Sequence, residues 1–187
     1  LPLQKLVPTM IRYLLWLSLP LYIADQITKW LIVLNFPLPT EGFRSITVIE
    51  GFFEIVRVHN KGIAFGKFNS GEYANPIFAC VAGTALVLIL YFWKKMDAFP
   101  TRVGKVAASL IVAGILGNVT DRLVHGYVVD FLQFDLKFMM WPSFNVADAC
   151  ICVAAGLMFV SVFQPVPTKA KAADEAETPA SRPEDTD

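Results

Sequence analysis

Two aspartates, Asp130 and Asp148, have the residue type and placement best suited to bond-breaking chemistry in this chain of 187 residues. Two carboxyl groups that lie close together cannot both ionise, so one keeps its proton while the other acts as a base. Such a pair activates a water molecule without a nucleophilic side chain or a metal ion. The segment between the two residues is long enough to fold back and bring them together. The sequence therefore predicts hydrolytic chemistry at this pair.

Other catalytic arrangements fit the sequence less well. His59 and His125 do not form the H-E-x-x-H pattern of a zinc site, and no G-x-S-x-G nucleophile motif occurs. Ser18 lies about three helical turns from Lys29, too far for a serine–lysine pair. The three cysteines lie inside apolar runs without zinc-ligand spacing, which is typical of packing residues rather than a disulfide framework. We therefore expect no metal and no cofactor.

Further polar residues lie within or next to apolar segments, where an ionisable side chain is costly and is a functional candidate by default. Asp25 and Lys29 are four residues apart, so they share one helix face, and they can simply neutralise each other. Asp121 and Arg122 can form an ion pair that fixes a loop. Asn145 can cap a helix. The candidates near the ends of the later apolar segments are Asn118, Asp121, Arg122 and Asn145.

Four apolar stretches are long enough to hold these residues in a membrane. Hydrophobic residues make up 55% of the chain and charged residues only 17%, and a bilayer-spanning helix needs about 20 mostly apolar residues. The predicted spans cover residues 13–36, 76–93, 103–119 and 146–163. The sequence therefore predicts an all-α polytopic membrane protein, with its membrane domain over residues 1–163.

The charge distribution predicts an orientation. Sixteen basic and sixteen acidic residues cancel, which argues against a nucleic-acid partner. The short link between the second and third predicted spans holds four basic residues, and others flank the first and fourth spans. Because cytoplasmic loops carry such an excess, we expect both termini in the cytoplasm and the polar cluster on the outer side. Loop 37–73 also holds four basic residues, but they are spread over a longer segment and matched by four acids.

The segments outside the predicted spans differ in composition. The two outer loops are predicted at 37–75 and 120–145. Within the first, residues 45–60 alternate and are rich in β-branched side chains, which predicts a small sheet. Within the second, residues 131–144 are rich in Phe, Met and Trp, which is typical of a segment at the membrane interface. Residues 164–187 are rich in Pro, Ala and acids, and we expect a disordered cytoplasmic tail.

Most of the polar candidates fall in five short blocks. These are Asp25-Gln-Ile-Thr-Lys29, Asn60-Lys-Gly-Ile-Ala-Phe65, Gly117-Asn-Val-Thr-Asp-Arg122, Gly126-Tyr-Val-Val-Asp-Phe131 and Phe144-Asn-Val-Ala-Asp148. The set resembles the motifs of bacterial lipoprotein signal peptidases (signal peptidase II), in the family's order and over residues 13–163. The resemblance implies an aspartic endopeptidase of the bacterial inner membrane whose active site faces the periplasm. Its substrate would be a prolipoprotein with a diacylglyceryl-modified cysteine, cut just before that cysteine to remove the signal peptide.

The resemblance also implies roles for individual residues. Asp130 and Asp148 would be the catalytic pair. The residues that would bind substrate or orient the pair are Asn60, Asn118, Arg122 and Asn145. The residues that would support the site are Asp25, Lys29, Asp121 and Gly62. Two features depart from the family pattern, namely Ile63, where a small residue is more common, and the acidic tail.

The implied architecture is four transmembrane helices with a small periplasmic β-sheet cradle and an interfacial segment. We expect a monomer in contact with membrane lipids, with no nucleic-acid partner. A small ion-coupled transporter, with the intramembrane acids as a proton relay, is the alternative, and inverted repeats or paired broken helices would indicate it. The sequence shows neither, although Pro20 interrupts the first span. A non-catalytic scaffold would not need acids at the junctions of loops and spans.

Overall fold

The computed structural model describes residues 8–38, 40–62 and 74–165. Within these residues the chain forms four apolar helices and one four-stranded sheet. The helices are α1 (Thr9–Asn35), α2 (Ala74–Met96), α3 (Arg102–His125) and α4 (Val146–Val162). The strands are β1 (Ile46–Ile49), β2 (Phe53–Asn60), β3 (Val128–Asp135) and β4 (Met140–Phe144). Ile63 and the predicted tail beyond residue 165 lie outside the described residues.

Three of the helices, α1, α2 and α3, are long and apolar enough to cross a membrane. Helix α4 is also apolar but has 17 residues, so its length alone does not establish a fourth span. Helix α1 contains a π-helical turn at Leu14–Ser18, shortly before Pro20. A proline nitrogen cannot donate a hydrogen bond, and the wider turn accommodates this gap in the helix. The chain is therefore a multi-pass membrane protein.

Small residues on α3 let α4 and α1 approach it closely. A Cβ atom added to Gly114 would lie 2.5 Å from the carbonyl oxygen of Ala147 at the start of α4. One added to Gly117 would lie 2.9 Å from the Ala147 Cβ atom and 2.5 Å from Asp25 Oδ2 on α1. The hydroxyl of Ser18 donates to the Ser109 carbonyl oxygen at 2.8 Å. Close backbone contact of this kind is how helices associate in lipid, and here it brings the polar residues of three helices together.

The sheet corrects the expectation of an all-α protein. Its strands are antiparallel in the order β1-β2-β3-β4, and β1 and β2 fall within the predicted strand region 45–60. The aromatic segment 131–144, predicted to lie at the membrane interface, was not predicted to be strand and forms most of β3 and β4. Alternating β-branched and aromatic side chains favour pairing with a neighbouring strand, and Phe134 stacks on Phe53 of β2 with ring centroids 4.6 Å apart.

Helix α3 is longer than the apolar pattern indicated. The predicted span ends at residue 119, but the helix continues to His125 and is stopped by Gly126, whose φ is +76°. Asp121 and Arg122 therefore lie on a helix and not in a loop. The apolar pattern ends early because the last two turns of α3 carry polar residues that face the interior, where Asp121 is 2% exposed. A buried apolar cluster of Ile32, Phe36, Val129 and Phe131 then joins the end of α1 to β3.

Candidate active site

Asp130 and Asp148 meet within one hydrogen-bond network, although they belong to different elements. Asp130 lies on β3 with 1% of its surface exposed, and Asp148 lies in the first turn of α4. The Asn145 Nδ2 group donates to Asp130 Oδ1 at 2.7 Å, and the Asn118 Nδ2 group donates to Asp148 Oδ1 at 2.7 Å. Asn145 Nδ2 also donates to Asn118 Oδ1 at 3.2 Å. Two amide side chains thus connect the two carboxyl groups.

Asn145 both caps a helix and contacts the catalytic candidates. It is the N-cap of α4, and its Oδ1 atom accepts from the backbone N–H of Asp148 at 2.9 Å. The Asp148 Oδ2 atom accepts in return from the backbone N–H of Asn145 at 3.3 Å, which completes a capping box. Because Oδ1 is the acceptor in the cap, the Nδ2 group is directed to Asp130. The helix cap therefore orients the amide that binds the second carboxyl group.

Asn60 holds the other oxygen of Asp130. Its Nδ2 group donates to Asp130 Oδ2 at 2.9 Å from the end of β2. The backbone N–H of Gly62 donates to Asn60 Oδ1 at 2.8 Å, which fixes the amide with its nitrogen toward Asp130. Gly62 has a φ of +88°, a conformation that a residue with a side chain rarely adopts. Its contribution is the turn that aligns Asn60.

Lys29 lies at the centre of a buried ionic cluster beneath the two aspartates. Its Nζ atom is 2.9 Å from Asp25 Oδ2 and 3.1 Å from Asp121 Oδ2. The same atom donates to Asn118 Oδ1 at 3.1 Å. An ammonium group has three protons to donate, so all three are used. The bond to Oδ1 leaves the Asn118 Nδ2 group facing Asp148, so the lysine determines which way that amide points.

The two acids of this cluster accept hydrogen bonds from the backbone next to Asp148 and Asp130. Asp25 Oδ1 accepts from the backbone N–H of Ala147 at 2.8 Å, one residue before Asp148. Asp121 Oδ2 accepts from the backbone N–H of Val129 at 3.0 Å, one residue before Asp130. Each acid lies on a membrane helix, and each bond is made to a different part of the site. The cluster therefore links α1 and α3 to both of the elements that carry the aspartates.

Two further residues border the cluster. Gln26, which sequence reasoning did not single out, donates through Nε2 to Asp25 Oδ2, Asp121 Oδ1 and the Gly117 carbonyl oxygen, each at 3.2 Å. The only sign of Gln26 in the sequence is that it is a polar residue next to Asp25 within an apolar span. Arg122 donates through Nη1 to the Asn118 carbonyl oxygen at 3.2 Å and lies over the ring of Phe78. It acts on the aspartates through the field of its charge.

Arg57 ties the sheet to α1, and sequence reasoning missed it as well. Its Nη1 group donates to the carbonyl oxygens of Val33 and Phe36, at 3.2 and 2.8 Å. Its Nε group donates to His59 Nε2 at 3.0 Å, which requires that nitrogen to be unprotonated. Burial, and then the charge of Arg57, lower the pKa of His59, and the ring stacks on Tyr127 with centroids 3.8 Å apart. A neutral His59 thus helps to place the end of β2 that carries Asn60.

The environment of Asp130 lets it keep its proton to a much higher pH than an ordinary aspartate. Burial is the largest effect and the charge of Asp148 the second, and together they raise the pKa of Asp130 to about 7. The hydrogen bonds from Asn60 and Asn145, and the charge of Lys29, act in the opposite direction. Asp148 lies at the third position of α4, where the positive end of the helix dipole stabilises a carboxylate. A carboxyl group that keeps its proton beside a second carboxyl group in a different environment is the arrangement that acid–base catalysis requires.

Other ligand-type residues do not join this network. In the ranges 8–38, 40–62 and 74–165, no group of three or more His, Cys, Asp and Glu side chains is placed to hold a metal ion. The three cysteines are free: Cys150 packs between α3 and α4, whereas Cys80 and Cys152 lie on the outer surface. The network is built from carboxyl, amide and ammonium groups.

Comparison with known proteins gives a consistent result. A family model described as signal peptidase (SPase) II matches residues 17–164. A lipoprotein signal peptidase of Alteromonas mediterranea is 38% identical over 151 residues, which are 80% of each chain. One of Symbiobacterium thermophilum is 38% identical over 144 residues, 77% of this chain and 90% of the relative.

Solved structures are also similar to this chain. Two of them are described as bacterial membrane enzymes. The first has a TM-score of 0.69 at 31% identity, covering 83% of this chain and 93% of the other. The second has a TM-score of 0.68 at 28% identity, covering 93% of this chain and 94% of the other. The predicted resemblance is confirmed, and nothing in the comparisons favours a transporter: the chain belongs to the signal peptidase II family of membrane peptidases.

Proposed function

We propose that this protein removes the signal peptide from diacylglyceryl-modified prolipoproteins, by cutting the peptide bond just before the lipidated cysteine, with Asp130 and Asp148 as the catalytic pair. The observation that carries the proposal is the connection of the two carboxyl groups through Asn145 and Asn118 at 2.7 Å on each side. Residues from a strand and from a helix are held in one small network, and the network has one buried and one helix-capping carboxyl group.

The environments of the two aspartates divide the chemistry between them. Asp148, at the start of α4, acts as the base and takes a proton from a water molecule, and the resulting hydroxide oxygen bonds to the carbonyl carbon of the substrate. Asp130, protonated in its buried position, donates its proton to the carbonyl oxygen. When the carbon–nitrogen bond breaks, the proton on Asp148 moves to the leaving amine and a hydroxyl proton of the intermediate returns to Asp130. Water is consumed, both aspartates recover their initial states, and no covalent enzyme species forms.

The lipid part of the substrate supplies positioning. The helix of the signal peptide packs beside the membrane helices while the acyl chains stay in lipid. Holding the substrate at both ends in this way places one peptide bond at the aspartates without extensive side-chain recognition. The four amide and guanidinium side chains of Asn60, Asn118, Arg122 and Asn145 then orient the pair and the substrate backbone. The supporting residues are Asp25, Lys29, Asp121 and Gly62.

The membrane arrangement proposed here follows from charge and length. Helix α4 spans about 26 Å at 1.5 Å per residue, close to the hydrocarbon thickness of about 30 Å, which supports a fourth span. The basic residues Lys94, Lys95, Arg102 and Lys105 lie at the far end of the bundle from the aspartates. The positive-inside rule therefore supports cytoplasmic termini, with the aspartates and the sheet toward the periplasm. The proposal places the protein in the bacterial inner membrane as a monomer among lipids.

A cleavage assay in ¹⁸O-labelled water tests the proposed function. The purified protein in detergent should convert a diacylglyceryl-modified prolipoprotein into a signal peptide with ¹⁸O at its new carboxyl terminus and a product beginning with the lipidated cysteine. Mass spectrometry reads both ends. The same prolipoprotein without the diacylglyceryl group is the control and should be cut at least about tenfold more slowly, because positioning is lost. Proton flux in proteoliposomes without any cleavage would instead support the transporter.

The pH dependence of cleavage should report the proton on Asp130. Asp130 must be protonated to act as the acid, and its pKa is raised to about 7. The value of kcat/KM should therefore fall as the pH rises through this region. Substituting Asn60→Ala removes a hydrogen bond that lowers this pKa, so the alkaline limb should move to higher pH. Asn35→Ala is the matched control, since Asn35 is exposed on α1 and donates only to the Leu31 carbonyl oxygen. If the alkaline limb of the pH profile does not move in the Asn60→Ala variant, the assignment of Asp130 as the acid is contradicted.

A further inference from the structure

A cavity lies at the end of the bundle opposite the aspartates. It has a volume of about 550 Å³ and is lined by the first turns of α1 and the first turn of α3, with Arg12, Arg102 and Lys105 among its residues. Arg12 precedes Asp25 by 13 residues on α1, which corresponds to about 20 Å of helix. The Thr101 and Ser161 hydroxyls, 2.7 Å apart, place the last turns of α4 at this same end. The cavity is therefore separate from the proposed active site.

Three cationic side chains meet in this cavity without an acidic partner. Among the described residues, none of Arg12, Arg102 and Lys105 forms an ion pair with a carboxylate, and no acidic residue lines the cavity. Arg102 and Lys105 are three residues apart, so they share one face of α3. They also lie in the first turn of that helix, where a positive charge is disfavoured by the helix dipole. Lys105 also donates to the Pro100 carbonyl oxygen at 3.4 Å, and the positive-inside rule accounts for basic residues at this end in general, but the convergence of three cations on one cavity without an acid suits a negatively charged ligand.

The remaining lining identifies the kind of anion. Tyr13, Trp16 and Leu17 line the cavity on the α1 side, and Trp16 is 82% exposed. Tyrosine and tryptophan are enriched where membrane helices meet the headgroups. Arginine and lysine bind phosphate oxygens through charge-assisted hydrogen bonds, and basic pockets between membrane helices bind anionic headgroups. A soluble anion would use the cations but not the apolar and aromatic wall.

We propose that this basic cavity binds the phosphate headgroup of an anionic phospholipid from the adjoining leaflet. The phosphate lies between the guanidinium groups of Arg12 and Arg102 and the Lys105 ammonium, while the glycerol and upper acyl chains contact Trp16 and Leu17. The volume falls within the range of about 300–1,000 Å³ that is typical of small-molecule sites. The bound lipid would hold the start of α1 against the start of α3.

Native mass spectrometry of the full chain in detergent, with dioleoyl phosphatidylglycerol added, tests this site. The wild-type chain should bind this lipid at least about tenfold more tightly than dioleoyl phosphatidylcholine, whose headgroup has no net charge. The double variant Arg102→Gln/Lys105→Gln should lose about 10- to 30-fold in affinity, given the usual contribution of each basic residue near a lipid surface. The matched control Lys94→Gln/Lys95→Gln removes the same charge at the same end of the bundle, outside the cavity lining. In 0.3 M salt, its affinity for the lipid should stay within about threefold of the wild-type value.

Three results would overturn the proposal. An equal loss in both double variants would mean that the lipid senses only the overall charge of this end. Displacement of the lipid by glycerol phosphate at equal concentration would indicate a site for soluble phosphates. A wild-type chain that binds no lipid until Asp174, Glu175, Glu177, Glu184, Asp185 and Asp187 are replaced by amides would show that the acidic tail occupies the cavity. Each variant should keep the wild-type melting temperature in detergent without added lipid, which separates ligand binding from folding.

Discussion

Asp130→Asn and Asp148→Asn should each reduce cleavage of a lipid-modified prolipoprotein by at least about a thousandfold, within the range that loss of a general acid or base produces. An asparagine at 130 cannot donate the proton that the carbonyl oxygen needs, and one at 148 cannot take a proton from water. Both substitutions keep the size of the side chain, and both keep an acceptor oxygen for the amides of Asn145 and Asn118. The loss should therefore appear in kcat, with KM changing little.

The matched control for these variants is Asp135→Asn. Asp135 ends the same strand as Asp130, and its carboxylate accepts only from the backbone N–H of Lys137, at 2.7 Å. This variant should cleave at close to the wild-type rate. Melting curves should show that all three variants fold, because each substitution keeps the size of the side chain and one acceptor oxygen. If either variant of the proposed pair cleaves at more than a few per cent of the wild-type rate, that residue is not part of the catalytic pair.

Lys29→Met should have the second largest effect, and it should act on both stability and activity. The Lys29 side chain is 4% exposed, and its ammonium group neutralises Asp25 and Asp121 at 2.9 and 3.1 Å. Its removal leaves two buried carboxylates without a counter-charge, which typically costs about 3–5 kcal/mol. Asn118 also loses the contact that directs its amide to Asp148. We expect a large fall in the melting temperature in detergent and at least about a hundredfold fall in kcat, comparable to the loss of positioning at other sites.

A compensating variant separates the two effects of Lys29. Lys29→Met/Asp121→Asn removes one negative charge with the positive one, so much of the stability should return. Cleavage should stay low, because the Asn118 amide is still released. Lys94→Met, at the exposed end of α2, is the control and should change neither property. Full recovery of cleavage in the double variant would show that Lys29 acts only through folding and does not orient Asn118.

The sequence was sufficient for the residues of the candidate site but not for their pairing. The sequence identified the acids and the asparagines of the network, because polar and ionisable residues are rare in apolar segments and stand out. It did not indicate that Asn118 contacts Asp148 while Asn145 contacts Asp130, since this depends on contacts between residues 15 to 30 positions apart. Gln26 was missed for a related reason. A neutral polar residue in a span is weaker as a signal than a charge, yet its amide nitrogen contacts both acids of the buried cluster.

The fold was predicted where local patterns decide it and not where tertiary contacts do. Alternation in residues 45–60 indicated the first two strands, because period-two burial is visible in a short window. The strands in 131–144 were not recognised. Their aromatic side chains fit both a membrane interface and a sheet, and only pairing with β2 and β4 distinguishes the two. Helix α3 runs past its apolar stretch because Asp121 is neutralised by Lys29 of another helix, which no local pattern reports.

The double role of Asn145 has a consequence for the biogenesis of the enzyme. The cap of α4 and the link between the two aspartates are made by one side chain, and both Asn145 and Asp148 belong to the last helix of the described chain. A nascent polypeptide that has inserted its first three helices holds Asp130 but has neither its partner nor the amide that aligns it. With Asp130 and Asp148 as the proposed catalytic pair, proteolytic competence therefore arises only after the α4 segment has been synthesised, so that copies that stop after the third helix are harmless to the membrane around them.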